Sequence, residues 1–402
     1  MTNTKRFRLS SRVSKKSILY FLLCAVIVRP DYLLTFSILY RFYSLASVVA
    51  LAYIVFRLIR NKDTIPNVMK VLIGIFLWLL FATLWNGGDI SSWWDAIELP
   101  LVALFVSYIG MKNDARKFLH SLECLLIIYV IINFITVVAF PNGLDYGVIQ
   151  YGNGLGELKY FLGQKNVVIK ISLLAEFCVI VEAVLYYGRC RLFERIISVM
   201  VFFVGIYTNS GITVIASLLP MMFTFLNFEK VPEWINSVSG AICNVAFFVA
   251  IIIMKQQERF AFIIENVLGK NLTFTSRTRL WDAGLLLSSQ NLWTGHGVES
   301  KAALMVKTGF SNDSFHNFIV DYLYQGGIVV LVLWVIFAIL LWISIRKCQN
   351  AIIARVCNVI AFSFLLVAIS EPFTRSRVTA FIIFSVMAVM FTERNFPANK
   401  DI

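Results

Sequence analysis

The sequence predicts an all-α polytopic membrane protein of about twelve transmembrane helices, with one long outer loop between the ninth and the tenth. Three observations carry this. Of the 402 residues, 59% are hydrophobic and 15% charged, whereas soluble domains hold about 45–50% apolar and about 25% charged residues. The apolar residues gather into runs close to the ~20 residues that a helix needs to cross a hydrocarbon core of about 30 Å. The basic residues behind the net charge of +13 stand as short punctuation between those runs. A nucleic-acid reader gathers Lys and Arg on one solvated face, so nucleic acid is not an expected partner.

The runs fall at 17–35, 37–59, 68–85, 94–110, 118–140, 166–187, 193–208, 211–227, 237–254, 317–345, 351–370 and 377–392. The first follows Lys5, Arg6, Arg8, Arg12, Lys15 and Lys16 and imitates a signal peptide. Arg29, Pro30 and Asp31 then stand where a small-residue cleavage site belongs, so this run is expected to remain as a membrane helix. With both termini inside, the cytoplasmic segments hold 22 Lys and Arg against 6 in the short outer ones. That bias sets the orientation, because basic residues are retained in the cytoplasm. All seven cysteines, Cys24, Cys124, Cys178, Cys190, Cys243, Cys348 and Cys357, then lie in spans or on the inner side. None forms a CxxC pair, so neither a zinc motif nor a dithiol is indicated. The whole chain, 1–402, reads as one membrane domain. No GxxxxGK[ST] loop for nucleotide hydrolysis is present.

Residues 255–316 form the long outer loop, and long loops in compact proteins usually carry function. A helical stripe is expected from Arg259 to Lys270 through Phe260, Ile263, Ile264 and Val267. A second helix is expected after Ser276, with Leu280, Trp281 and Leu285 on one face. Both faces are apolar enough to lie along the membrane interface. Arg277 and Arg279 sit in the first turn of that second helix, against the dipole. Local stability does not explain them, whereas a helix start with guanidinium forks suits phosphate. Among the three histidines, His316 opens the tenth span, where the helix dipole is expected to keep its imidazole neutral and able to take a proton. His296 reads as a turn residue and His120 as incidental.

The run Ser276-Arg277-Thr278-Arg279-Leu280-Trp281, then Trp293-Thr294-Gly295-His296-Gly297, then His316-Asn317 and Gly326-Gly327 resembles the O-antigen polymerase and ligase superfamily (Wzy and WaaL). The resemblance implies a GT-C-like membrane glycosyltransferase that takes an undecaprenyl-diphosphate-linked glycan as donor and uses no metal or other cofactor. It also implies the bacterial cytoplasmic membrane as location, with chain-length regulator and flippase proteins as partners beside the membrane lipid. Arg277 falls on the family's diphosphate arginine and His316 on its essential histidine. The ligase branch carries an arginine in the short turn that here reads Tyr207-Thr208-Asn209-Ser210-Gly211-Ile212, where Gly211 takes its place. Arg279, Lys165, Arg375 or Arg377 is then the candidate for the missing charge.

The chemistry fits these residue types. Transfer from a lipid diphosphate builds negative charge on the leaving phosphate, which fixed cations stabilise. The acceptor hydroxyl must lose a proton, which a neutral histidine accepts or orients. His316 and Arg277 are therefore expected to be catalytic. Arg279, Lys165, Asn166, Asn317, Arg375 and Arg377 are expected to bind substrate. Polymerisation of O-antigen, capsular or exopolysaccharide repeats is the first expectation, and O-antigen ligation to lipid A core is the alternative. A flippase or transporter is a third reading, resting on Arg41, Glu98, Glu123, Glu176 and Glu182 inside the apolar runs.

Overall fold

The computed structural model describes residues 14–61, 64–146, 158–260, 277–310 and 312–393. It is an α-helical membrane protein. In chain order the helices are α1 Lys15–Ile27, α2 Ser37–Asn61, α3 Asn67–Trp85, α4 Ile90–Ala139, α5 Val168–Tyr187, α6 Leu192–Tyr207 and α7 Gly211–Leu226. They continue with α8 Ser237–Phe247, α9 Arg277–Gln290, α10 Lys301–Thr308, α11 Phe318–Arg346, α12 Ala351–Ala368 and α13 Thr379–Glu393. Three short antiparallel strands, β1 Asp145–Tyr146, β2 Leu158–Tyr160 and β3 Gly163–Gln164, lie between α4 and α5 in the order β1-β2-β3.

Every apolar run read from the sequence falls on helix, with corrections at three places. Among the described residues six helices suffice by length and composition to cross a bilayer: Ser37–Ile54, Asn67–Trp85, Ile90–Ala139, Phe318–Arg346, Ala351–Ala368 and Arg375–Thr392. The first run is shorter than expected, because α1 stops at Ile27 before Arg29-Pro30. The fourth and fifth runs are continuous in α4, whose backbone breaks at Asp114 (φ −154°). A Cβ added to Gly110 would fall 2.2 Å from the Phe118 ring. Eight residues span about 12 Å along a straight helix, so the chain doubles back here and α4 is two antiparallel arms. At the ninth run, α8 passes into a π-helical turn, Phe248–Ile253. The expected stripe from Arg259 to Lys270 and the Ser276 cap lie outside the described residues, apart from its first residues, Arg259 and Phe260, which close a 3-10 turn, Gln256–Phe260.

Alternate connections meet at the same end of the bundle. At one end Tyr32 N donates to Phe161 O (3.3 Å), Ser210 Oγ to Asn166 Oδ1 (2.7 Å) and Asn86 Nδ2 to Gly295 O (2.9 Å). The other end is tied by Tyr108 Oη to Thr64 O (2.9 Å), Arg195 Nε to Thr224 O (3.2 Å) and Arg355 Nη1 to Val231 O (3.3 Å). The helix faces turned away from the bundle are apolar: along α2, Ile38, Phe42, Leu45, Val49 and Phe56 are exposed at helical spacing. Water would penalise such a stripe, and acyl chains accept it.

The central break in α11 positions everything at the first end. At Gly327 the backbone leaves the helix (φ 67°, ψ −163°). The segment 292–297 fills the gap: His296 N donates to Tyr324 O (2.7 Å), Gly297 N to Gln325 O (2.9 Å) and Ile328 N to Leu292 O (2.9 Å). Trp78 Nε1 of α3 takes the carbonyl of Gly326 at 2.8 Å. Four backbone groups at the break, Tyr324 O, Gln325 O, Gly326 O and Ile328 N, thereby find partners, which hydrocarbon surroundings demand. Glycine is required on both sides, since a Cβ on Gly295 would fall 2.5 Å from Gly326 N and one on Gly327 would fall 2.2 Å from Trp293 O.

Candidate functional site

The site grows from the start of α11. Asn317 caps that helix by accepting from Val320 N (3.1 Å), and its Nδ2 donates to Ile369 O (2.8 Å). Asp321, one turn in, accepts from Phe315 N at 2.7 Å. Held from both sides, the chain passes through His316 in the left-handed region, at φ 53°. That conformation is costly for a residue with a Cβ and is kept only where the surroundings impose it. His316 Nδ1 is buried with no hydrogen-bond partner. Burial first, and then the charge of Arg277, press its pKa down to about 4. The imidazole is therefore neutral, as the sequence suggests, but the principal cause is desolvation, where the sequence reading placed the helix dipole.

Helix α9 brings Arg277 to this point. Its apolar face does not lie on the membrane as expected. Leu280 and Trp281 are buried in a small second core with Phe315, Val320 and Tyr324, and a Cβ on Gly284 would fall 2.5 Å from Val320. One turn earlier, Arg277 Nη2 meets Glu371 Oε1 at 2.9 Å and Nη1 donates to Ser370 O. This corrects the sequence reading, because a buried carboxylate accounts for an arginine that opposes its own dipole. Burial raises the Glu371 pKa, but the charges of Arg277, His316 and Lys170 outweigh it and hold the carboxyl below its usual range.

A second pair closes the rim. Arg377 grips Asp313 through both nitrogens, at 3.0 and 2.9 Å, and the charge on Arg377 overcomes burial to keep Asp313 ionised. Arg375, itself left-handed at φ 57°, donates to Glu299 O. Lys170, buried in the first turn of α5, donates to Pro372 O and lies 5.0 Å from the centre of the Phe373 ring. Beside it a cleft runs between α1, α4, α5 and α13, walled by Ile27, Leu99, Ile171 and Ile383, with Arg29, Asp31, Lys170 and Arg377 among its polar lining.

Residues 196–335 match the family model described as O-antigen ligase. That segment runs from α6 into α11 and contains Arg277, the Gly295–Gly297 turn, His316 and the α11 break, now seen as one assembled unit. Over this segment the chain is similar to the O-antigen polymerase and ligase superfamily. No curated protein and no solved structure matches it. The superfamily comprises glycosyltransferase-like enzymes that act on lipid-linked glycans in the membrane.

Of the candidate site residues read from the sequence, His316, Arg277, Arg375 and Arg377 are drawn to one rim. Asn317 is there too, but both ends of its amide are spent on holding the loops. Lys165 and Asn166 lie at the α6–α7 turn, where Lys165 O accepts from Thr213 Oγ1 (3.3 Å) and Asn166 from Ser210. Arg279 is exposed and, among the described residues, makes no hydrogen bond or ion pair. Sequence reading missed Asp313, Asp321, Glu299 and Lys170 as members of the cluster. Lys170 and Asp321 carried a usable signal, since a charge inside an apolar run is a functional candidate by default.

Proposed function

We propose that this chain is a polymerase that joins undecaprenyl-diphosphate-linked repeat units into O-antigen, capsular or exopolysaccharide chains. It works on the outer face of the bacterial cytoplasmic membrane, with the His316 end outward, both termini inside and twelve crossings between. The observation that carries this reading is the buried, neutral and unpartnered Nδ1 of His316 beside the Arg277–Glu371 pair. In the reaction the acceptor hydroxyl oxygen attacks the anomeric carbon of the donor glycan. The bond from that carbon to the diphosphate oxygen breaks, and the lipid diphosphate leaves with the electron pair. The hydroxyl proton passes to His316, while Arg277 and Arg377 face the leaving diphosphate through N–H groups that their acidic partners do not use.

A histidine with a pKa of about 4 is a weak base in the free protein. The bound donor corrects this, because its negative charge offsets Arg277 and raises the imidazole pKa towards the working pH. The cleft beside Lys170 and Arg377 supports a donor of this kind, with charge at its head and apolar walls for an isoprenoid tail.

Ligation to lipid A core is the second reading, favoured by the description of the matching family. Gly211 at the α6–α7 turn, where the ligase branch carries arginine, favours polymerisation. His316→Ala separates the two. General-base contributions are about 10²- to 10⁴-fold, so the variant is expected to leave polymer nearly undetectable. Cells then export single repeats, and a separate ligase attaches single repeats to its acceptor. A ligase defect instead strands long polymer on the carrier lipid. Gels of surface glycan read beside extracted carrier lipid distinguish these outcomes, and polymer of normal length and attachment rejects both roles for His316.

A further inference from the structure

At the end of the bundle opposite His316, three donor side chains lie together. His120 and Glu123 are three residues apart on the second arm of α4, and so share a face, while Glu182 approaches from α5. His120 Nδ1 is 2.8 Å from Glu182 Oε1 and 3.5 Å from Glu123 Oε2, and one ligand atom from each residue falls within 4.8 Å of the others. The glutamate side chains are only 12% and 11% exposed, whereas the imidazole is 62% exposed. Glu182 Oε2 is buried with no hydrogen-bond partner. Within the described residues, the ion pairs of both glutamates are to this one imidazole.

We infer that His120, Glu123 and Glu182 bind a divalent transition-metal cation of the zinc class, which clamps α4 to α5. A single imidazole proton is shared between two carboxylates here, and one buried oxygen is left over. A dication replaces that proton, releases it to water and takes the Nδ1 lone pair with one oxygen from each glutamate. Bonds of about 2.0–2.2 Å at tetrahedral angles set ligand atoms roughly 3.3–3.5 Å apart, close to the spacings around Nδ1. One imidazole nitrogen with two carboxylates suits zinc better than calcium or magnesium. The far nitrogen of the ring, Nε2, lies 3.6 Å from Cys124 Sγ, where an outer partner orients a ligating histidine. The exposed side of the imidazole leaves the fourth position to water.

The test uses the full-length protein in detergent, freed of any affinity tag and stripped with a chelator. Wild type is expected to take up one Co²⁺ per chain with visible d–d absorption, to exchange it for Zn²⁺, and to melt at a higher temperature with Zn²⁺ than without. His120→Ala and Glu182→Gln are expected to weaken Co²⁺ binding by more than the roughly 10- to 100-fold that an outer-sphere partner contributes. Glu123→Gln, which keeps size and shape, serves if either variant fails to elute as wild type from size exclusion. Wild type that binds no more Co²⁺ than the variants at tens of micromolar, with no thermal shift, overturns the proposal. The trio is then an imidazolium held between two carboxylates.

Discussion

His316 combines a left-handed backbone, an unpartnered Nδ1 and a depressed pKa of about 4. The sign of that depression fixes a pH profile. The ring holds its proton only below its pKa, so in the free protein it stays neutral from about pH 8 down to about pH 5 and charges only near 4. Over the same interval Glu371 and Asp313, held below their usual range, keep their guanidinium partners. The value of kcat/KM, which reports the free protein, is expected to be flat across that interval. The acid limb of kcat, which reports the donor complex, is expected at higher pH, because a bound diphosphate offsets Arg277. An acid limb of kcat/KM near the ordinary histidine value of 6.5 would reject this account. Arg277 also bears a structural load: truncating it strands the buried Glu371, at a cost of about 3–5 kcal/mol. Arg277→Lys, with Glu371 left paired, is therefore the better probe of diphosphate contact, since only the fork is lost.

Among the elements, the docking of 292–297 into broken α11 makes the sharpest prediction. Gly295 and Gly309 both have positive φ, 68° and 73°, yet a Cβ on Gly309 meets nothing within 4 Å while one on Gly295 strikes Gly326. Gly309→Ala is expected to cost about 1 kcal/mol for the backbone alone, and Gly295→Ala about 2–5 kcal/mol once crowding is added. Thermal melts in detergent read the difference, and equal melts for the two variants would mean that the segment does not seat in α11. Elements of this kind were half legible in the sequence. The apolar runs mark the helices because burial in lipid needs nothing but hydropathy and length, and the charges Lys112, Asp114, Arg116 and Lys117 mark the bend of α4. The glycines were visible as a pattern, but their work depends on contact between Trp293 and Gly327, which spacing does not report. The same holds for Arg277 with Glu371 and Arg377 with Asp313, which join residues 94 and 64 positions apart. The right residue types stand out, Glu371 in the last outer loop among them, but their pairing does not, because an ion pair leaves no periodic trace. The short α10, capped by Ser300, also has too few residues to raise a periodic signal.

At the scale of the molecule, the gathering of alternate connections at two ends makes orientation testable with a single label. Lys301→Cys is expected to react with an impermeant maleimide in intact spheroplasts. Cys190 and Cys348, in connections at the opposite end, are expected to react only after permeabilisation. The reverse pattern would turn the protein over. The break in α11 has a further consequence, which concerns the order in which the chain is made. Trp78, Leu292, His296 and Gly297, the groups that satisfy the broken helix, all precede Gly327 along the chain. When α11 leaves the ribosome these partners have already been made, so the broken helix need not dwell in lipid with those backbone groups unsatisfied. Glu371 and Arg377 come later, after α12. During synthesis His316 and Arg277 thus emerge before Glu371 and Arg377, and the rim is complete only when α13 begins to follow.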